Sequence, residues 1–408
     1  MSKMRGEISD TRPADYLWIA IIGERSYFTS SSILQCENPL RALVFGPEFY
    51  GYNDSIVSAL KDLGIQSCSE SYDESDFEWS VAAKATSRTE YPEILNDMLR
   101  GLRNHVKQMP PYANWRIRQE VPRLRTIGSQ LLKKLKKENP DTLLVIKGTA
   151  LLPETLRQIK RDFKSTRLIL WMQDSITRYP LVLNGVEFYD HVYVFEPSDI
   201  PGLESIGIQS SFLPPGYDPA IYKPERDRRD YRPTRDLAFV GEARPDRLTV
   251  FKSVLKDFSS RTIPIQIDLF GPGWAPYGPE LSSLAGSNIR LSVLSTGLRP
   301  SDVNRIYNDS KICLNLHHEQ SKQGLNPRTF EIPGSGAVEV VDNRPLLDKF
   351  FQPARELIAY ESVTDLPEIL AQLLSSPKDL DEIAHRGHER ARSEHTYKNR
   401  LASVVRDL

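Results

Sequence analysis

The residues of this chain best suited to chemistry gather between positions 317 and 342. In NPRTFEIPGSGAVEVVDNRP, Glu331 follows an apolar run and precedes a glycine pair. A carboxylate near a strand end in an open α/β sheet can accept hydrogen bonds from the hydroxyls of a ribose. The preceding GLNPRTF can offer backbone amides to a phosphate where the helix begins; Gly324 permits close approach of the main chain, Asn326 lies beside it, and Arg328 can clamp an anion with two hydrogen bonds. A lone glutamate on an exposed helix face is the alternative for Glu331, and Gly334-Ser335-Gly336 reads as the end of that short helix. His317 and His318 close the strand KICLNLHH, where an imidazole could touch a sugar or phosphate, although strand alternation turns one of the pair to the core. In the loop GEARPDR, Gly241, Arg244 and Arg247 could meet a diphosphate; the arginines could equally be solvated surface. Asp174, after the strand RLILWMQD, could orient or deprotonate an acceptor hydroxyl, or cap the next turn.

Other chemistries lack their residues. Asp379-Leu380-Asp381 is the one Asp-x-Asp and sits where a helix should start, so capping explains it better than a metal. No His/Cys cluster has zinc spacing, and neither a Gly-x-x-x-x-Gly-Lys-Ser/Thr loop nor Gly-x-Ser-x-Gly is present.

The elements that must position these residues alternate. RALVFG is a strand and DSIVSALKDLG a helix opened by Asp54 or Ser55; DTLLVIKG, PETLRQIKRDF, RLILWMQD and HVYVFEP continue as strand, helix, strand, strand. A second series follows the proline-rich and charged stretch 212–236: DLAFVG, RLTVFKSVLKDF, IPIQIDLF, a helix capped by Ser301, KICLNL, the Glu331 helix and GAVEVVD. Strands alternating with helices predict two doubly wound parallel-sheet domains facing a cleft, the expected seat of a nucleotide-bearing ligand. The boundaries read as an extension over 1–39, a first domain over 40–215 with a helical, basic insertion at 72–137, a second domain over 216–385, and a last helix over 386–408 packing back on the first. Between Arg100 and Lys137 there are eleven Lys or Arg and one acid, Glu120, which could hold an anionic membrane surface or an acidic acceptor, or form a solvated helical face.

Bulk properties agree with a globular chain of two or three domains: 408 residues, 39% hydrophobic, 26% charged. A formal charge of −1 gives no global reason to expect nucleic acid. Cys36, Cys68 and Cys313 lack metal spacing and read as reduced thiols, and the N-terminal apolar run, about six residues, is too short for a signal or a span. Both point to the cytoplasm.

The stretch LNLHHEQSKQGLNPRTFEIPGSGAVEVVDNRPLLDKFF, with EHTYKNRL near the end and FLPPGYDPAIYKP before the linker, resembles the GT-B glycosyltransferases grouped with the spore maturation protein CgeB, distant relatives of the retaining group-1 transferases. The resemblance implies two Rossmann-like domains, a nucleotide diphosphate sugar as donor, an acceptor docked on the first domain, retention of configuration and no metal. It implies that Glu331 binds the donor ribose and that Arg328 and the Gly324 region approach the diphosphate or sugar. A glutamate of the group-1 enzymes, eight residues before this one, is Gln323 here; its amide can bond a sugar hydroxyl but cannot act as a carboxylate. The group-1 histidine after the fourth strand is replaced by Gln173 beside Asp174. A nucleotide-sugar epimerase and a binding module without activity fit the same architecture.

Overall fold

The computed structural model describes residues 39–48, 50–73, 110–226, 233–261, 263–318 and 321–407. The expected extension, apart from Pro39, lies outside them, as do residues 74–109 of the expected insertion and Cys36. Residues 40–408 form one compact unit.

Within that unit stand two six-stranded sheets, parallel throughout. The first runs β2-β1-β3-β4-β5-β6, from β1 (Arg41–Pro47) and β2 (Gln66–Tyr72) through β3 (Thr142–Ile146), β4 (Arg167–Trp171) and β5 (His191–Val194) to β6 (Ser210–Phe212). The second runs β12-β11-β10-β7-β8-β9, built from β7 (Arg235–Val240), β8 (Ile265–Phe270), β9 (Ile289–Leu294), β10 (Ser310–Asn315), β11 (Val338–Asp342) and β12 (Ile358–Tyr360). In each, strand order reverses beside the first strand of the series, between β1 and β3 and between β7 and β10. A crevice opens at the carboxyl ends there, because successive helices leave to opposite faces. The central strands read as unbroken apolar runs, Leu143 to Ile146 and Leu168 to Trp171, because helices cover both faces.

Several helices open on proline, at Pro153, Pro245, Pro300 and Pro377, where the missing N–H has no intrahelical partner to lose and φ is already helical. This moves two expected starts. The helix assigned a Ser301 cap begins at Pro300 behind Arg299, which pairs with Asp302 at 2.9 Å. The helix expected to open at Asp54 or Ser55 begins at Tyr52, behind a left-handed Gly51 (φ 72). Asp379 does sit in a first turn, accepting from Ser376 Oγ at 2.6 Å.

The basic stretch is, from Pro110, a 29-residue helix to Glu138 that carries the chain from β2 to β3. Leu124, Ile127, Leu131 and Leu135, at helical spacing, pack into the core of the first lobe, while Arg125, Lys133, Lys136 and Lys137 face outward. From Leu124 onward this helix is therefore packed as part of the lobe.

The chain passes between lobes twice. After β6 the segment from Leu213 leads to the second lobe, and after the helix Pro377–Glu394 the chain returns, so that the helix Tyr397–Val404 buries Tyr397, Leu401 and Val404 against β1, β3 and β4 residues of the first. The two passages run side by side: Tyr217 N–H donates to His395 O at 3.2 Å and Tyr397 N–H to Tyr217 O at 3.0 Å.

Candidate functional site

Glu331 lies on the seven-residue helix Arg328–Gly334. Its first turn is fixed by Asn326 and Pro327, whose carbonyls accept the N–H groups of Thr329, Phe330 and Glu331; left-handed Gly336 (φ 71) ends the turn that follows and leads into β11. Glu331 is 4% exposed, so it is no surface helix residue. The Tyr52 hydroxyl, from the first lobe, donates to its Oε1 at 3.1 Å, and Tyr222 of the connecting segment donates as well. Burial pushes the carboxyl up to about 7, against Arg328, Tyr52 and Tyr222, which favour the ionised form. Burial, and then Glu331 itself, likewise raise Tyr52, Tyr307 and Tyr397. A carboxyl poised near neutrality thus sits at the seam of the lobes, ringed by phenols and one guanidinium.

The loop before this helix is held from the first lobe. Glu196, just past β5, accepts the backbone N–H groups of Lys322 at 2.9 Å, Gln323 at 3.1 Å and Gly324 at 3.1 Å. Gly324 does serve close approach, but to protein: a Cβ there would stand 2.6 Å from Phe195 Cε1 and 2.8 Å from Phe195 O. From below, Arg344 supports the same loop, donating to Ser321 O at 2.8 Å and to Asp342 at 2.7 Å.

Under the loop runs a buried polar network. Asn315 donates to Glu339 at 2.7 Å and to Thr329 at 3.1 Å, and Asn326 donates back to Asn315 at 2.8 Å. Asn326 is thereby a bracket between β10 and the loop. Glu339 is fully buried and burial raises its carboxyl to about 8. His317 belongs here too: it is 3% exposed, with Nδ1 on Asp342 at 3.0 Å and Nε2 3.4 Å from Thr329 Oγ1. Of the two imidazoles that could have touched a sugar or phosphate, strand alternation sends this one inward and leaves His318 half-buried at the surface.

The expected cations divide. Arg247 is 5% exposed, lies over the Phe239 ring and donates to Glu242 O and Leu316 O at 2.8 and 3.2 Å. Burial lowers its pKa to about 9. It ties two strand-end loops together, and does not lie open to a diphosphate. Gly241 is backbone scaffolding beside it: its carbonyl accepts Trp274 Nε1–H at 2.8 Å. Arg244 forks onto Asp246 at 2.7 and 3.1 Å. His318 feels burial first, then Arg244 and Arg178 of the opposite lobe, all of which lower its pKa, so cations of both lobes converge on it. Asp174 does not cap the next turn: Arg178 and Tyr179 donate to its two oxygens at 2.8 and 2.7 Å, and its side chain stays 35% exposed. The capping falls to Asp199, which accepts Ile176 N–H at 2.8 Å. Beside them Lys147 has φ 66, a strained value for a non-glycine at the end of a central strand.

Sequence reasoning missed Glu196, Tyr52 and Tyr222. Glu196 had one visible signal, an acid immediately after a predicted strand; the tyrosines had none. Among the described residues no group of three or more His, Cys, Asp or Glu is placed to hold a metal ion, and no helix is long and apolar enough to cross a membrane.

Residues 250–406 match the model of the family described as glycosyl transferase-like. That match takes in most of the second lobe and the helix that returns to the first. No curated protein sequence matches the chain. Among solved structures, sucrose-phosphate synthase from Thermosynechococcus elongatus is similar at 12% identity and TM-score 0.59, over 90% of this chain and 98% of that one. The UDP-forming α,α-trehalose-phosphate synthase from Burkholderia xenovorans is similar at 13% identity and TM-score 0.60, over 90% and 98%. HepE from Anabaena, solved in complex with UDP-glucose, is similar at 10% identity and TM-score 0.56, over 90% and 100%. At such identities the likeness is one of fold, and the fold is GT-B: two Rossmann-like domains with parallel sheets.

Proposed function

We propose that the chain transfers a sugar from a nucleotide diphosphate sugar, held mainly by the second lobe, to an acceptor docked on the first, with retention and without a metal. The observation that carries this reading is the Glu331 carboxyl, in the glycosyl transferase-like lobe, buried at the interlobe seam beside Arg328. There an ionised carboxylate would accept both hydrogen bonds of a ribose diol, with Tyr52 giving way, since a diol offers the same donors as a phenol at shorter reach. Arg328, Arg244 and Arg178 would offset the charge of the departing diphosphate, which is where such an enzyme needs stabilisation most, and His318, kept neutral by burial, Arg244 and Arg178, would donate a hydrogen bond. Closure of the lobes would exclude water and favour transfer over hydrolysis. Retention and independence from metal rest on the resemblance to the group-1 transferases. HepE, solved with UDP-glucose and with UDP, supports the choice of a nucleotide sugar.

The test is incubation with UDP-, GDP- and dTDP-sugars, with and without cell extract. Acceptor-dependent transfer supports the reading. Epimerisation without acceptor, or binding with no turnover, replaces it.

A further inference from the structure

We propose that Glu196 is a latch between the lobes: its carboxylate, seated on the backbone amides of Lys322, Gln323 and Gly324, holds the second lobe's loop shut against the first lobe and must release before that loop can meet an outside ligand. Glu196 is 2% exposed and belongs to the first lobe, while the three amides, 126 to 128 positions further along the chain, belong to the second. Successive amides converging on one carboxylate repeat the way main-chain nests hold a phosphate oxygen, and charge-assisted bonds of this kind are the stronger class. The side chain is itself braced, since Ser198 Oγ donates to Oε1 at 3.2 Å. The fit is steric as well, because only a glycine at 324 can lie against Phe195. A few residues on, Tyr52 engages Glu331 across the same seam. The first lobe thus fills polar positions of the second with its own groups, a carboxylate on the amides and a phenol on the acid. The acid missing at Gln323 reaches the Gln323 main chain from the other lobe instead.

Two consequences follow. Opening the cleft costs these bonds, so closure is the resting arrangement. A ligand with anionic or hydroxyl oxygens that takes the amides displaces Glu196 and frees the loop from the first lobe; this second consequence rests on the donor-binding reading above, whereas the latch rests only on the contacts.

The experiment uses the full chain, Glu196→Ala, and two readouts that need no nucleotide sugar: hydrogen exchange of the 321–326 backbone and the radius of gyration from X-ray scattering. Exchange at the three amides should rise about tenfold or more, and the radius of gyration should increase. Glu196→Gln, which keeps the side chain's shape, should fall between wild type and Ala and replaces it if the Ala variant does not fold. Unchanged exchange overturns the latch. Faster exchange with an unchanged radius overturns it too, since Glu196 would then only order a loop. Failure to bind any nucleotide sugar would count against the proposed function and leave both readouts standing.

Discussion

Glu331 and Glu339 are eight residues apart, both buried, both with carboxyls raised by burial, yet their surroundings differ in origin. Glu339 is bonded by Asn315 of the adjacent strand, inside its own lobe, and its Oε2 has no hydrogen-bond partner. Glu331 is bonded by Tyr52 from the other lobe and Tyr222 from the connection. Burial and pKa alone do not separate the two. What separates them is that the Tyr52 bond of Glu331 crosses between lobes and can be exchanged by parting them, while the Asn315 bond of Glu339 breaks only when a sheet breaks. The first is a group that can serve a ligand; the second is scaffolding.

Substitution should divide them in the same way. Glu331→Ala is expected to weaken nucleotide-sugar binding by about a hundredfold or more, the loss of two hydrogen bonds to a charged acceptor; titration calorimetry with the donor found in the panel reads this, and unchanged affinity would remove Glu331 from the site. Glu339→Ala should instead destabilise the fold by about 2 kcal/mol, through a cavity and a broken network, seen in thermal or urea unfolding. Were its main effect on donor affinity, the contrast would fail.

The pH dependence sharpens the comparison. A carboxyl raised in the fold, to about 7 at Glu331 and about 8 at Glu339, keeps a proton that the unfolded chain releases near its ordinary value of 4.5. Stability contributed by these protons is therefore full below that ordinary value and declines as pH rises towards 7 and 8, by at most about 1.4 kcal/mol per pH unit for each group. Glu339→Gln should flatten the fall in unfolding temperature up to pH 8, and Glu331→Gln only up to pH 7. The smallest effect is expected of Tyr52→Phe: loss of one phenol bond raises the Glu331 carboxyl further and shifts donor affinity by about threefold or less. A large loss would make Tyr52 a part of the donor site.

Much of the scaffold was legible because it is periodic. Apolar strand runs bounded by helical spacing located β1, β3, β4, β5, β7, β8, β10 and β11. β2, QSCSESY, went unread because an edge strand with one exposed side carries no apolar run. The short helix that carries Arg328 and Glu331 was readable from its segment, and the alternation rule placed one of the two histidines inward. Arg247, Asp174 and Asn326 are already bonded within the protein, Arg247 to a partner 69 positions away, and a sequence shows residue types but not which bonds are already made. Glu196 and Tyr52 bond residues 126 to 279 positions away, and no local pattern encodes a meeting between two separately folded sheets.

The paired passage of the chain between lobes limits how they can part. A single connecting strand would let one lobe swivel about a bond. Here two strands are stitched together at Tyr217, and Arg400 Nε adds a bond to Pro215 O at 3.1 Å. Twisting one strand drags its neighbour, so the remaining freedom is rotation about one axle, like a book opening at its spine. Every opening then sweeps Tyr52 and Glu196 along the same arc, away from Glu331 and its loop together.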